Sequence, residues 1–282
     1  MRAPSAKRIG GDVSRYLSEH TRTGTVISVF RNGFNVLFDK NFDPVFVSIQ
    51  TGEVPLHSWA IATESASQVR ADDLVIAESN RIRFGLSDVI IDLSGATVAE
   101  LRIRSWTREE AARGHRRMPL IDAFLQAERQ RRSADPFQPQ IDMILERWIE
   151  TENSRELLDL LGLGSGSTPS GDDVLVGLLA GLTALGEVSG EVKANLESLR
   201  HALHEDNSQR TTQPSAQMIQ AAGAGCFPEP LCHLLSNLGV SCTDIQLRVA
   251  VENVLSLGAS SGLSMLHGLI VSRHIPEDTP GG

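Results

Sequence analysis

Short apolar runs separated by turn residues dominate the first hundred residues of the chain. The runs TVISVF and FNVLFD flank Arg31-Asn32-Gly33, and Asn-Gly between two such runs is a strong signal for a β-hairpin. Further runs follow as far as DVIIDL at residues 88–93, and six of the nine Phe residues lie between positions 30 and 84. Large aromatic side chains can fill a small β core. The pattern predicts six or seven short strands in a small antiparallel β-barrel or sandwich.

The period of the pattern changes after Trp106. Residues 106–139 combine helix formers with many arginines and end in SADPFQPQ, where two prolines interrupt the chain. Beyond that break, apolar positions recur with helical spacing, and frequent Ala, Leu and Gly residues favour closely packed helices. The pattern predicts helices at residues 140–151, 154–162, 170–185, 190–205, 212–223, 229–238, 243–257 and 262–273.

These patterns predict an α+β chain, in which a small β domain precedes a mostly helical domain. Gly10-Gly11 near the start suits a flexible segment, and PEDTPGG at the end has no apolar residue that could anchor it. The predicted segments are a flexible N-terminal arm at 1–22, the β domain at 23–105, a helical connector at 106–139, an α-helical domain with a Gly/Ser/Thr-rich ligand site at 140–274, and a disordered tail at 275–282.

Charge is distributed unevenly along the chain. Residues 1–135 hold 19 Lys and Arg against 17 Asp and Glu, whereas residues 136–282 hold 7 against 18. Such an acidic half is a poor surface for nucleic acid. An anion site in this half therefore needs strong local donors or a metal ion.

Other features of composition bear on the compartment. The most apolar segment, residues 174–185, is shorter than the roughly 20 residues of a membrane span, and the N-terminal residues lack the apolar core of a signal peptide. The three cysteines, at positions 226, 232 and 242, form neither an even set nor a C-x-x-C pair, which suits a reducing environment. We expect a cytoplasmic protein that binds neither membranes nor nucleic acid.

Residues 162–182, GLGSGSTPSGDDVLVGLLAGL, place glycines, hydroxyls and two acids directly before an apolar helix. Thr168-Pro169 suits an N-cap followed by the first helical position, and Ser170-x-x-Asp173 resembles a capping box. The first-turn amides of a helix have no partners within it and carry the positive end of its dipole, so they attract anions. Gly166 and Gly171 would allow such a group to approach the backbone closely.

The adjacent acids Asp172 and Asp173 admit two interpretations. In the first, the pair only complements the helix dipole, for which one carboxylate is enough. Beside a bound anion, however, two carboxylates would repel it unless Mg²⁺ or a substrate amino group lay between them. Asp172 and Asp173 are therefore candidate catalytic residues and candidate ligands of Mg²⁺.

Two further turns of the same composition occur in the helical half. NSQRTTQPSAQ places Thr211, Thr212 and Ser215 at a helix start beside Arg210. GASSGLSMLHG at residues 258–268 places small residues at another helix start. Ser, Thr and Gly are ordinary capping residues, so neither turn alone predicts a site. Because helix starts offer amides and hydroxyls, and Arg can bind anions in a fork, we expect the three turns to line one cleft. The third turn contributes Ser260, Ser261 and Gly262.

Two alternative motifs are weaker. HALHE at residues 201–205 lacks the order of a helical zinc-protease motif. GLGSGS at 162–167 resembles the phosphate loop of small-molecule kinases of the galactokinase and homoserine kinase type, but the α/β context of those enzymes is absent around it. A kinase-like phosphate-binding protein remains an alternative hypothesis.

The TPSGDD core, the two other turns and the hairpin SVFRNGFNVLF resemble the family of oxamate carbamoyltransferase subunit AllH-like proteins, over about residues 23–272. The resemblance implies a subunit that acts with larger partners in purine breakdown, where a carbamoyl group passes between oxamate and phosphate. It implies a site that binds a small anionic or carbamoyl-bearing metabolite. A non-catalytic metabolite-binding or assembly subunit is the alternative. The candidate residues are Asp172, Asp173 and Arg210 as catalytic groups, and Gly166, Thr168, Ser170, Gly171, Thr211, Thr212, Ser215, Ser260, Ser261 and Gly262 as substrate-binding groups.

Overall fold

The computed structural model describes residues 4–39, 44–65, 68–186 and 188–274. The chain divides into two compact units, Met1–Leu101 and Arg102–Gly282. The first unit is built on a β-sheet and the second on helices, which confirms the predicted α+β fold class. The predicted disordered tail at 275–282 lies outside the described residues.

The described part of the first unit forms nine strands and one helix. Along the sheet the strands follow the order β8-β7-β6-β2-β3-β4-β5-β1-β9. Neighbouring strands are mostly antiparallel, but β4 pairs with β5 and β1 with β9 in parallel, so the sheet is mixed. The elements are β1 (Ala6–Gly10), α1 (Gly11–Glu19), β2 (Arg22–Phe30), β3 (Gly33–Phe38), β4 (Val45–Thr51), β5 (Ala60–Thr63), β6 (Leu74–Glu78), β7 (Arg81–Phe84), β8 (Val89–Asp92) and β9 (Thr97–Ala99).

The sheet curls into a half-barrel whose concave face is apolar. The predicted Arg31-Asn32-Gly33 hairpin joins β2 to β3, with Phe30 paired to Gly33. Phe34 and Phe84 meet edge to face in the core, with ring centroids 5.2 Å apart. Such offset aromatic contacts add to the free energy gained by burying the rings. The curled sheet thus buries Phe34, Phe38 and Phe84, whereas Phe30 at the hairpin is exposed.

The prediction of a flexible arm at residues 1–22 is wrong for the described residues from Ala6 onward. Strand β1 pairs with β5 on one side and with β9 on the other, and Val13 and Leu17 of α1 are buried in the same core. Gly10 is not a flexible link, because a Cβ there would lie 2.4 Å from the carbonyl oxygen of Ser58. The glycine allows close approach of two backbones, which the sequence alone does not distinguish from flexibility.

Helices account for most of the described residues of the second unit. Their bounds agree with the predicted helices to within a few residues, except that α5 extends to Arg210. The elements are α2 (Arg108–Arg131), α3 (Gln138–Thr151), the 3₁₀ helix η1 (Ser154–Leu160), α4 (Ser170–Leu185), α5 (Gly190–Arg210), α6 (Gln213–Gly223), α7 (Glu229–Gly239), α8 (Asp244–Leu255), α9 (Ser261–Val271) and a last 3₁₀ turn, η2 (Ser272–His274).

The segment predicted as a helical connector belongs to this second unit. Met118, Ile121 and Leu125 of α2 are buried in one apolar core with residues of α4 and α9. The unit begins at Arg102, a few residues before the predicted boundary at 105/106. The arginine-rich composition of α2 obscured the apolar face with which it packs.

Helix α4 is the central helix of the second unit, and all of its residues are buried. It crosses α9 at close range, because a Cβ on Gly177 would lie 1.9 Å from the carbonyl oxygen of Met265, and one on Gly268 would lie 1.9 Å from that of Val174. Glycine at both crossing positions lets the two backbones touch. This crossing brings the N-terminal turns of α4 and α9 into the same region. No helix among the described residues is sufficiently long and apolar to span a bilayer.

Candidate functional site

The loop that enters α4 is folded tightly by three glycines with positive φ angles. Gly162, Gly164 and Gly166 have φ values of +73°, +135° and +92°. A Cβ on Gly162 would lie 2.2 Å from the carbonyl oxygen of Arg210, and one on Gly164 would lie 2.4 Å from the amide nitrogen of Ser170. The loop therefore packs against the end of α5 and against the start of α4. At Gly166, by contrast, a Cβ would meet no atom within 4 Å, and this residue lies at the exposed tip.

The carboxylate of Asp172 organises two of the three predicted turns. It accepts hydrogen bonds from the amide of Gly162 at 2.9 Å, from the hydroxyl of Ser215 at 2.6 Å and from the hydroxyl of Thr211. Burial raises the pKa of Asp172, and these three donors lower it in part. Asp172 thus ties the glycine loop to the start of α6. Its oxygens are used within the protein, as expected of a residue that positions a site rather than one that reacts.

Asp173 has the opposite surroundings. Its side chain is fully buried, and neither carboxyl oxygen has a hydrogen-bond partner of good geometry among the described residues. Burial raises its pKa well above the ordinary value; the hydroxyls of Ser261 and Thr168 beside it lower the pKa in part, and Asp172 raises it further. An uncompensated buried charge is costly, so burial favours the protonated form of Asp173.

The third turn meets the α4 loop through hydroxyl groups. The Oγ1 atom of Thr168 and the Oγ atom of Ser261 are hydrogen-bonded at 3.0 Å. On the other side, the hydroxyl of Thr212 donates to the carbonyl oxygen of Ser167 at 2.5 Å. The structure therefore brings the starts of α4, α6 and α9 together around one loop.

The helix start itself differs from the sequence prediction. Pro169 is the N-cap of α4, and no side chain caps the helix. The hydroxyl of Ser170 donates to the carboxylate of Asp135 at 2.5 Å, so neither Thr168 nor Ser170 acts as the predicted cap. These side chains bind distant residues because the turn is packed against α6 and α9 rather than exposed to solvent.

Sequence reasoning missed two residues that hold this region in place. Besides accepting from Ser170, Asp135 accepts from the amide of Phe137 at 2.9 Å. Arg132 donates to the carbonyl oxygen of Ala259 at 2.6 Å and to that of Leu255 at 3.2 Å, which fixes the turn before α9. Both lie at the break between α2 and α3, and no local pattern links that break to residues more than thirty positions away.

The comparison with known families agrees with the two units. Residues 160–273 match the family model described as oxamate carbamoyltransferase subunit AllH, and residues 5–98 match the AllH family N-terminal domain. The chain belongs to the AllH family. The family is described as a subunit of oxamate carbamoyltransferase, and a subunit implies partner chains. No solved structure matches the chain.

All three turns lie within the matched AllH region, but the candidate residues differ in what they can contact. Ser215 is buried and bonded to Asp172, while a Cβ on Gly262 would lie 1.9 Å from the carbonyl oxygen of Val254 and one on Gly171 would lie 2.2 Å from that of Leu160. These positions serve packing. The half-buried hydroxyls, which a ligand can reach, belong to Thr168, Thr212, Ser260 and Ser261.

Arg210 and the aspartate pair complete the set of candidates in this AllH chain. The guanidinium of Arg210 lies 3.4 Å from the carboxylate of Asp159, with which it forms an ion pair. No group of three or more His, Cys, Asp or Glu residues that could hold a metal ion occurs within the described ranges. Mg²⁺ prefers six oxygen ligands, and the oxygens of Asp172 are already engaged by three donors. A Mg²⁺ ion bound to Asp172 would therefore compete with these three donors.

Proposed function

We propose that this chain is the subunit of a carbamoyltransferase-type enzyme that binds a small carbamoyl-bearing or anionic substrate at the joined starts of α4, α6 and α9. The observation that carries the proposal is the convergence of three helix N-termini and their hydroxyls on one glycine loop within the AllH region. Helix starts carry positive potential, which suits phosphate, carboxylate and carbonyl oxygens.

The family description supports the reaction class. In transfer from carbamoyl phosphate to oxamate, the amide nitrogen of oxamate forms a bond to the carbamoyl carbon. The bond from that carbon to the phosphate oxygen breaks, inorganic phosphate leaves, and the nitrogen gives up a proton. The carbamoyl oxygen becomes more negative as the new bond forms. Preorganised donors aimed at that oxygen stabilise the transition state, and no covalent nucleophile is needed.

The roles of the residues follow from their surroundings. We assign ligand contacts to the hydroxyls of Thr168 and Ser261, because these groups are half-buried and belong to two different helix starts. The hydroxyl of Thr212, at a third helix start, contacts the ligand when it leaves the carbonyl oxygen of Ser167. Asp172 positions the loop that carries Thr168. Arg210 directly precedes Thr211 in the chain and supplies a cation for a phosphate or carboxylate when it leaves Asp159.

The test uses the assembled enzyme. The chain is expressed with an affinity tag in its native host, and the complex that co-purifies with it is assayed for phosphate release from carbamoyl phosphate, with and without oxamate. We expect oxamate-dependent release, and a fall of at least about tenfold in kcat/KM for Thr212→Val, the loss expected for one hydrogen bond to the reacting group.

The matched control is Ser256→Ala, which removes an exposed hydroxyl that bonds to the carbonyl oxygen of Asn253. It should leave the rate unchanged. If Thr212→Val and Arg210→Ala complexes release phosphate at the wild-type rate, the reacting atoms are held by a partner subunit. This chain then serves assembly or regulation.

A further inference from the structure

Asp173 is the acidic side chain in the site that the protein's own contacts do not explain. It is fully buried, and both carboxyl oxygens lack a hydrogen-bond partner of good geometry among the described residues. A buried polar group without partners costs about 1 to 3 kcal/mol, and a charged one costs more. Helix capping does not account for it, because exposed acids in a first turn gain the same dipole interaction without that cost.

The neighbours of Asp173 are hydroxyls rather than cations. Thr168 and Ser261 lie beside the carboxyl group and form a hydrogen bond with each other at 3.0 Å. Each hydroxyl has one proton to donate and can also accept. One of the two protons is used in the bond between them, so a single hydroxyl proton is left for the other partners of the pair. The pair is half-buried, with the carboxyl group on its inner side and an accessible outer side.

The direction of the hydrogen bonds in this cluster depends on Asp173. A charged carboxylate only accepts, so it would draw the free hydroxyl proton inward. A neutral carboxyl group donates, and the donated proton leaves the free hydroxyl proton to point outward. Burial and the neighbouring Asp172 both favour the neutral form of Asp173.

We propose that Asp173 is a positioning residue: it donates a hydrogen bond into the Thr168–Ser261 hydroxyl pair, so that the outer hydroxyl of the pair donates to an oxygen of the bound ligand. This proposal rests on the proposed function, and it specifies the ligand end that the site receives. That end is an oxygen acceptor, such as the carbonyl or carboxylate oxygen of a small carbamoyl-bearing molecule. An amino group, which donates, would face another donor at this point.

The experiment measures the dissociation constant of oxamate on the assembled enzyme by calorimetry. Asp173→Asn keeps a donating N–H at the same place, whereas Asp173→Ala removes the donor. We expect the Asn variant to bind oxamate within about threefold of wild type and the Ala variant to bind about tenfold more weakly, the equivalent of one hydrogen bond. The matched control is Asp244→Asn, which changes an exposed first-turn acid on α8 and should have no effect.

A second pair of variants leaves Asp173 intact, in case the buried substitutions prevent folding. Ser261→Ala and Thr168→Val each break the hydroxyl pair, and each should weaken oxamate binding about tenfold, whereas Thr168→Ser restores the hydroxyl and the affinity.

The outcomes separate the two proposals. Wild-type enzyme that binds neither oxamate nor carbamoyl phosphate overturns the proposed function, and this inference with it. Wild-type binding together with equal losses for Asp173→Asn and Asp173→Ala overturns the role of Asp173 as a donor and leaves the proposed function standing. Wild-type affinity in both Ser261→Ala and Thr168→Val would also overturn the role of Asp173 and leave the proposed function standing. Rescue by Asn and by Ser supports the inference.

Discussion

The starts of α4 and α8 each combine a Thr with acid in the first turn, but their structures differ. At α8, Thr243 accepts from the amide of Gln246 at 3.2 Å, and the side chain of Gln246 accepts from the amide of Thr243 at 2.9 Å. Both partners are local and exposed. At α4 the hydroxyls and acids bond to residues far along the chain or, in the case of Asp173, have no partner of good geometry within the described part of the chain.

A turn rich in Ser, Thr and acids can therefore either cap its own helix or join several helices. A capping box satisfies the free amides of its own helix and needs nothing else, which explains α8 completely. The α4 start is buried and uses its side chains to join other helices, while the amides of Gly171, Asp172 and Asp173 bond to carbonyl oxygens of the loop before the helix. The following predictions test this contrast, in order of decreasing effect.

Replacing Asp172 should have the largest effect on stability. Asp172→Ala leaves two hydroxyls and one amide without their acceptor, and unsatisfied buried groups cost about 1 to 3 kcal/mol each, so we expect a loss of about 3 kcal/mol or more. Urea denaturation of the full chain measures the loss. A change below about 0.5 kcal/mol, the range of ordinary surface substitutions, would mean that Asp172 does not hold the turns together.

Replacing Gly171 should show that the α4 turn is tightly packed. A Cβ at this position would lie 2.2 Å from the carbonyl oxygen of Leu160, so Gly171→Ala should lower stability by about 1 to 3 kcal/mol through overpacking. Gly190 at the start of α5 is the matched control, because a Cβ there would meet no atom within 4 Å. Gly190→Ala should be neutral or stabilising by up to about 1 kcal/mol. Equal effects at the two positions would contradict the packing described for α4.

The dependence of stability on pH should reveal the protonation of Asp173. Its pKa is raised in the folded chain, so the folded state keeps a proton that the unfolded state releases above about pH 4. The free energy of unfolding should therefore fall as pH rises above that value, by up to about 1.4 kcal/mol per pH unit from this group. Asp173→Asn removes this contribution. Urea denaturation at pH 5, 6 and 7 should show the free energy of unfolding of wild type falling relative to that of the variant as pH rises. A constant difference would show that Asp173 is charged throughout.

Replacing the cap of α8 should have the smallest effect and no functional consequence. Thr243→Ala removes an exposed capping hydroxyl and should cost about 1 kcal/mol of stability. Oxamate affinity of the assembled enzyme should stay at the wild-type value. Loss of affinity in this variant would place the α8 start in the ligand site and contradict the difference between the two helix starts.

Much of the helical unit could be predicted from local pattern. Helical spacing located the helices, and the three Ser/Thr-rich turns were recognised as helix starts. The contacts that make these turns a site were less accessible. Which of two adjacent acids faces Ser215 and Thr211 is decided by the rotation of α4 in the core, and this rotation depends on packing against α6 and α9.

The parts of the fold that escaped prediction depend on distant pairing. Strand β1 has only five residues and lies between β5 and β9, the latter about ninety positions away. A short strand that pairs so far along the chain has no local signal strong enough to separate it from a loop. Asp135 escaped for the same reason, since its partner Ser170 is 35 residues away.

The most direct test of the central claim is a crystal structure of the assembled enzyme with oxamate bound. We predict that an oxygen of oxamate lies within hydrogen-bonding distance of the Thr168 or Ser261 hydroxyl, at the joined starts of α4 and α9, with Asp173 behind the pair. Oxamate bound only to partner subunits, with these hydroxyls bonded to each other and to water, would contradict the claim that the α4 turn is a ligand site.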